Sequence, residues 1–246
     1  GIRKQNHGLV IAGHGSLQCI QASDEGIEVL FGCICISIRQ DFHIFCFSLG
    51  NENFCIFVGF RQEDIDFLIC GITDRLNEIE KFALETQVPI IRRSMQSLLK
   101  FLLKFTKPKS ILEVGTAIGF SALLMSEYAP EDCHITTIEK YEKRIPIAKE
   151  NFRKAGREDR ITLLEGDATE ILRELEGTYD VIFMDAAKGQ YIHFLPDILR
   201  LLPPGGLLIS DNVLQDGDII ESRFAVTRRN RTIHARMREY LYELKH

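Results

Sequence analysis

Residues 179–191 read YDVIFMDAAKGQY. Four consecutive apolar residues, Val181 to Met184, run straight into Asp185, and a lysine follows three positions later at Lys188. A short apolar run bounded by turn residues reads as a strand buried on both faces. A carboxylate at its end is costly to desolvate unless something there uses the charge. The pattern recurs at 205–211, where GGLLISD again carries an apolar strand into an acid. Working outward, SILEVG (110–115), HITTIE (134–139) and RITLLEG (160–166) read as three further strands. The segments between them, 119–129, 142–155, 168–176 and 190–202, read as amphipathic helices, and a last helix is expected over 231–245. Apolar strands alternating with helices predict an α/β fold: a doubly wound, mostly parallel sheet covered on both faces. Right-handed crossovers bring the C-terminal ends of all these strands to one rim, which is where such sheets bind ligands.

The 246 residues, 45% hydrophobic, suffice for one full domain and a small second one. No run of 18 apolar residues exists to span a membrane, and the first residues lack the basic region, apolar core and cleavage site of a leader, so a cytoplasmic location is expected. A net charge of −5 argues against a molecule that attracts nucleic acid over its whole surface. Composition shifts near residue 70. Residues 1–70 hold only four Lys or Arg and six of the seven cysteines (Cys19, Cys33, Cys35, Cys46, Cys55 and Cys70), with short runs such as CICISI and NFCIFVGF that read as strands. We treat 1–70 as a β-rich extension without a chemical motif. Its cysteines are open to three readings, buried thiols, a zinc site or disulfides, and His14 and His43 to a structural or a ligand role. The main domain then covers 73–246. Thr73 is placed to cap a helix running to about Thr86, Pro89 to start a second one in a helical pair over 73–105, and the core follows over 110–246.

The expected rim is rich in oxygen. Strand ends supply Glu113, Gly115 and Gly119; Glu139; Gly166, Asp167 and Ala168; Asp185 and Lys188; and Asp211 with Asn212. One such acid is readily a helix cap, and Asp167 has that character; five together point to a site. The glycines of EVGTAIG would let backbone approach a ligand beside a helix N-terminus. They do not form G-x-G-x-x-G, which disfavours a dinucleotide pyrophosphate and a nicotinamide oxidoreductase. Glu139 lies 24 residues after Gly115, where a carboxylate accepts both hydroxyls of a ribose. An adenosine-containing ligand without a pyrophosphate fits both features. Asp185, Asp211 and Asn212 are hard oxygen donors suited to Mg²⁺. Against this stand plainer roles: a surface lysine for Lys188, and a turn or cap for Asp211–Asn212.

The set ILEVGTAIGFS, TIEK, GDA, MDAAKGQY and SDNV resembles the class I S-adenosylmethionine-dependent methyltransferases, and more narrowly the metal-dependent O-methyltransferases that include catechol and caffeoyl-CoA enzymes. The resemblance covers roughly residues 73–246. It implies S-adenosylmethionine contacts from Ile91, Glu113, Gly115, Ser121, Glu139, Ala168 and Asp185, metal ligation by Asp185, Asp211 and Asn212, and help from Lys188 in deprotonating the acceptor hydroxyl. It also implies a homodimer.

For the acceptor, ESRFAVTRRNRTIHARMREY (221–240) matters. From Arg223 to His246 there are seven Lys or Arg and two Glu, a local +5 that either contacts phosphates or forms a solvated helix face. AAKGQY, SDNVLQDG and this arginine-rich segment (223–238) resemble the bacterial tRNA 5-hydroxyuridine methyltransferases. The resemblance implies tRNA as partner, with Arg92 and Arg93 adding basic surface; a small catechol-like phenol, or a non-catalytic RNA-binding protein of the same fold, are the alternatives. Family members carry two more strands after the last helix. The fifth core strand is therefore expected to be an open edge, a liability, unless the β-rich extension covers it; otherwise the enzyme would be truncated and weak.

Overall fold

A computed structural model of the chain describes residues 72–213, 227–228 and 230–245, together with the backbone of five short strands nearer the N-terminus. Those strands are β1 (Val10–Ile11), β2 (Val29–Leu30), β3 (Ile34–Cys35), β4 (Phe47–Leu49) and β5 (Ile56–Phe57). β1 pairs antiparallel with β5, and β2 with β3. His14, His43 and all the N-terminal cysteines except Cys35, of which only the backbone is described, lie outside the described residues. Among the described residues no helix is long and apolar enough to cross a membrane.

α1 (Asp74–Thr86) begins where its sequence signal lies: Thr73 is the N-cap, and its hydroxyl accepts from the Leu76 N–H at 3.4 Å. α2 (Arg93–Thr106) begins later than Pro89 suggested. The reason is tertiary. Ile91 is buried at 3% exposure, Arg92 stays extended (ψ 155°), and the side-chain amide of Gln96 donates to the Ile91 carbonyl at 3.2 Å, pinning 89–92 as an extended strap. There follow β6 (Ser110–Val114), α3 (Phe120–Tyr128), β7 (His134–Glu139), α4 (Ile145–Ala155), β8 (Ile161–Glu165), α5 (Ala168–Glu174), β9 (Val181–Met184), a 3₁₀ turn (Lys188–Gln190), α6 (Tyr191–Leu201), β10 (Leu207–Ser210) and α7 (Arg231–Lys245).

The main sheet has the order β4-β10-β9-β6-β7-β8, parallel except for β4. β4 runs antiparallel to β10, with Phe47 opposite Ile209 and Leu49 opposite Leu207. The edge expected to be open at β10 is therefore paired by backbone from the β-rich extension, which relieves the liability of unpaired strand groups.

Alternation along each strand feeds two cores. Val181 and Phe183 of β9 join Ile111, Ile135, Leu207 and Ile209 under α1, α2, α3 and α4. Ile182 and Met184 join Leu112, Val114, Ile138 and Leu208 under α5, α6 and α7. From β6 the chain first moves outward through β7 and β8, then crosses to β9 and β10. β6 and β9 are thus the topological switch point, where an open α/β sheet leaves its crevice.

Candidate functional site

A cleft of about 860 Å³ opens at that switch point, within the range of small-molecule sites. The strap residues Ile91 and Arg92, the turn after β6, Glu139 and Tyr141, Asp167 and Ala168, and the ends of β9 and β10 all contribute to its wall.

Gly115 and Gly119 both have positive φ, +108° and +85°. The space each leaves is taken by protein. A Cβ on Gly115 would lie 2.2 Å from the Asp185 carbonyl oxygen, and one on Gly119 would lie 2.5 Å from the ring of Phe152. Gly115 lines the cleft and Gly119 does not. These glycines permit close packing of β6 on β9 and of α3 on α4, and Gly115 in addition keeps its backbone at the cleft wall.

At the end of β7, Glu139 is held by main chain. Its Oε2 accepts from Ala117 N–H at 2.7 Å, and its Oε1 from Lys140 and Tyr141 N–H at 3.0 and 2.8 Å. Next to it, Asp167 caps α5 by accepting from Thr169 N–H at 2.8 Å, and those bonds hold its carboxyl below the usual range. Ser121 lines the cleft but turns its hydroxyl onto Glu113. Glu113 itself does not reach the cleft wall. It is fully buried in β6, and the Ser121 and Thr137 hydroxyls both donate to its carboxylate. Burial pushes its carboxyl up to about 7, with the charges of Asp185 and Glu139 adding to the rise against those two hydrogen bonds.

The ends of β9 and β10 differ in kind. Lys188, 17% exposed, donates from Nζ to Asp185 Oδ1 at 3.0 Å and to the Tyr191 hydroxyl at 2.9 Å. Tyr191 donates in turn to the Met184 carbonyl at 2.7 Å, with the Asp211 carbonyl 3.4 Å away. Asp211 is pushed up to about 6, first by burial and then by the charge of Asp185, with Lys188 pulling the other way. Asn212, in the left-handed region at φ +50°, and Asp211 line the same cleft as Asp185 and Lys188. Among the described residues no three His, Cys, Asp or Glu side chains gather as a metal cluster; the third donor beside the two carboxylates would be the Asn212 amide.

Sequence reasoning missed Tyr191, although its position three after Lys188 places both on one helical turn, and Thr137, which meets Glu113 only through the β6–β7 register. Of the arginine-rich segment, residues 223–226 and 229 lie outside the described residues. Arg228 and Arg238 are exposed, whereas Arg236 is partly buried and donates to the Gly189 carbonyl at 3.1 Å, tying α7 to the Lys188 turn.

Sheet order, two covering layers and a rim cleft without pyrophosphate glycines define a methyltransferase-type α/β fold. The chain belongs to the O-methyltransferase family, whose model matches residues 72–243. It is 34% identical over 127 residues to a catechol O-methyltransferase of Niastella koreensis, covering 50% of this chain and 58% of that one. It is 33% identical over 128 residues to a caffeoyl-CoA O-methyltransferase of Stellaria longipes, covering 50% and 53%. The chain thus spans little more than half the length of these curated relatives. The SAH-bound methyltransferase of Podospora anserina superimposes with a TM-score of 0.62 at 31% identity, over 75% of this chain and 86% of that one.

Proposed function

We propose that the chain is an S-adenosylmethionine-dependent O-methyltransferase assisted by Mg²⁺ or another hard divalent cation, and that it methylates 5-hydroxyuridine in tRNA to 5-methoxyuridine. The observation that carries the chemistry is the ammonium of Lys188 held at 3.0 Å from Asp185, in one cleft with Asp211 and Asn212 on one side and Glu139 on the other.

S-adenosylmethionine would supply a methyl group on a positively charged sulfur. Glu139, already oriented by three backbone N–H groups, accepts the ribose hydroxyls; Ile91 and Ala168 offer apolar walls, and Gly115, Ser121 and Asp185 line the stretch between. Asp185, Asp211 and Asn212 offer two carboxylates and an amide oxygen, a hard donor set. They fit a dication also in charge, because burial and the charge of Asp185, which together push Asp211 up to about 6, are what such an ion offsets. A divalent ion there would acidify an acceptor hydroxyl. Lys188, as an ammonium, donates to and stabilises the oxyanion that forms, and takes the hydroxyl's proton only after releasing one of its own to solvent. The cleft walls orient the acceptor for in-line displacement.

The 5-hydroxyuridine base carries its O5 hydroxyl beside the O4 carbonyl, two adjacent oxygens like those of a catechol. An unstacked loop base is also the form in which proteins usually read RNA. Support for tRNA comes from the local +5 of 223–246 and from the exposed Arg92, Arg93, Arg228 and Arg238. A small catechol-like phenol is the second reading, favoured by the two relatives named for catechol and caffeoyl-CoA.

The test is transfer of labelled methyl from S-adenosylmethionine to 5-hydroxyuridine-bearing tRNA and to catechol, with Mg²⁺ and with excess chelator. Chelator-sensitive labelling of tRNA, weakened by salt, is the expected result. Labelling of catechol alone establishes the second reading. Transfer to neither, with tRNA still bound, makes the chain a non-catalytic RNA-binding protein.

A further inference from the structure

We propose that the Tyr191 hydroxyl is a positioning group for Lys188: as a fixed acceptor beneath the ammonium, it sets where Lys188 presents its remaining N–H to the acceptor oxygen. This rests on the reading above that Lys188 serves that oxygen.

Lysine is a flexible point charge with three donors and several rotatable bonds. Left to itself beside Asp185 it would sample many directions. Here two of the three donors are engaged, one by Asp185 Oδ1 at 3.0 Å and one by Tyr191 Oη at 2.9 Å. Two bonds from one nitrogen to two separate atoms fix its place and leave one N–H direction for a ligand. The Tyr191 anchor is firmer than the Asp185 one. Asp185 stands in the cleft with its side chain 28% exposed, whereas Tyr191 is fully buried, its ring edge-on to Tyr240 at 5.4 Å and 72°. Tyr240 is in turn hydrogen-bonded to the Ser210 hydroxyl at 2.6 Å.

The hydroxyl is not required to satisfy the Met184 carbonyl. Its proton goes to the Met184 carbonyl, but that carbonyl already accepts from Asp211 N–H at 2.9 Å. A phenylalanine at 191 would keep the ring packing and leave Met184 paired. The side chain that loses a partner is the ammonium of Lys188; the Ala186 backbone and the Asp211 carbonyl, 3.4 Å away, lose only a backbone contact. A hydroxyl kept on a fully buried ring and accepting from the one lysine at the end of β9 is therefore read as serving that lysine.

Two measurements on the full chain test this. The first needs no turnover. In protein labelled with ¹⁵N-lysine, at low temperature and mildly acidic pH, the Lys188 ammonium should give a resolved signal, identified by its loss in Lys188→Arg. Tyr191→Phe should abolish that signal while the fold is kept. A signal unchanged in Tyr191→Phe, or none in the native chain, overturns the proposal whether or not the chain methylates anything.

The second uses whichever acceptor the native chain methylates. Tyr191→Phe should lower kcat about tenfold, with the acceptor KM and the affinity for S-adenosylmethionine within about twofold, since transition-state alignment alone is lost. In a Lys188→Ala background the same substitution should change nothing further, the non-additivity expected of two residues acting as one unit. Equal losses in both backgrounds would mean a merely structural role and would overturn the proposal. A native chain that methylates no acceptor counts against the proposed function, and the lysine signal then decides the positioning role alone.

Discussion

The two halves of the cleft are built on opposite electrostatic plans. On the β6–β7–β8 side the carboxylates are bound by main chain: Glu139 takes three backbone N–H groups and Asp167 takes one. They are directed by those bonds. On the β9–β10 side the charges oppose one another. Asp185 pairs with the Lys188 ammonium at 3.0 Å, and Asp211 is pushed up to about 6, first by burial and then by the charge of Asp185, against the pull of Lys188 and Arg92. The first half presents a carboxylate already directed by main chain, which under the proposed function would meet the ribose hydroxyls. The second sets two carboxylates of one cleft against each other, and under the proposed function a cation would offset them. On that reading, ligand recognition and chemistry would fall to different strand pairs, joined at the β6–β9 seam.

The largest effect should come from breaking the strained half. Asp211→Asn removes one of the two repelling carboxylates, so methyl transfer should be lost in a labelled-methyl assay, while affinity for S-adenosylmethionine by calorimetry stays within about twofold. The same substitution should raise the melting temperature of the ligand-free protein above pH 6. Loss of stability there would mean that Asp185 and Asp211 are not held in opposition. Next is the seam. Gly115→Ala puts a methyl 2.2 Å from the Asp185 carbonyl oxygen at φ +108°. Overpacking and unfavourable φ together should cost about 3 kcal/mol or more, read as a fall in the denaturant midpoint. Gly156→Ala, whose Cβ would meet nothing within 4 Å at φ +61°, should cost only the strain of its backbone, about 1–2 kcal/mol.

Glu113 lies beneath both halves and feels one charge from each, Asp185 and Glu139. Its folded carboxyl titrates at about 7 against 4.5 for the ordinary group. The folded chain therefore keeps a proton that the unfolded chain releases as pH rises past 4.5, and stability falls across 4.5 to 7. Below that window both states are protonated and the penalty is absent; above it the penalty is complete. Glu113→Gln, a neutral isostere that accepts from one hydroxyl and donates to the other, should flatten this dependence. The variant should gain about 1–3 kcal/mol relative to the native chain on moving from pH 5 to pH 8, measured by urea titration at both values. An identical pH dependence in the two proteins would show that Glu113 is ionised in the fold.

What could be read from the sequence was whatever is local or periodic. Apolar runs between amphipathic segments placed the parallel strands and their acidic ends, because a side chain's position along a strand follows from counting. Thr73 announced its helix because a cap is a contact between near neighbours. What escaped was set by partners distant in sequence. Pro89 sends a helix-start signal, yet burial of Ile91 and the Gln96 bond keep 89–92 extended. The reason for Gly115 lies 70 residues away, in a β6–β9 adjacency that alternation alone does not reveal. β4 finds β10 by a pairing across some 160 residues, and Thr137 meets Glu113 only through the β6–β7 register. Arg236 reads as part of a basic surface until its bond to Gly189 assigns it to the fold.

The smallest effect should sharpen the separation between the halves. Glu139→Gln keeps size and most of the shape, but its amide nitrogen must face either the Ala117 N–H or the Lys140 and Tyr141 N–H groups, donor against donor. The side chain therefore turns, and the carboxylate that would accept the ribose hydroxyls is lost. Affinity for S-adenosylmethionine should fall about tenfold, close to 1.4 kcal/mol, measured by calorimetry. At saturating cofactor, kcat should stay within about twofold of the native value, because Lys188, Asp185 and Tyr191 keep their bonds to one another. A loss of kcat as large as the loss of affinity would mean that the two halves communicate, and that the ordered side orients the methyl group as well as holding the molecule that carries it.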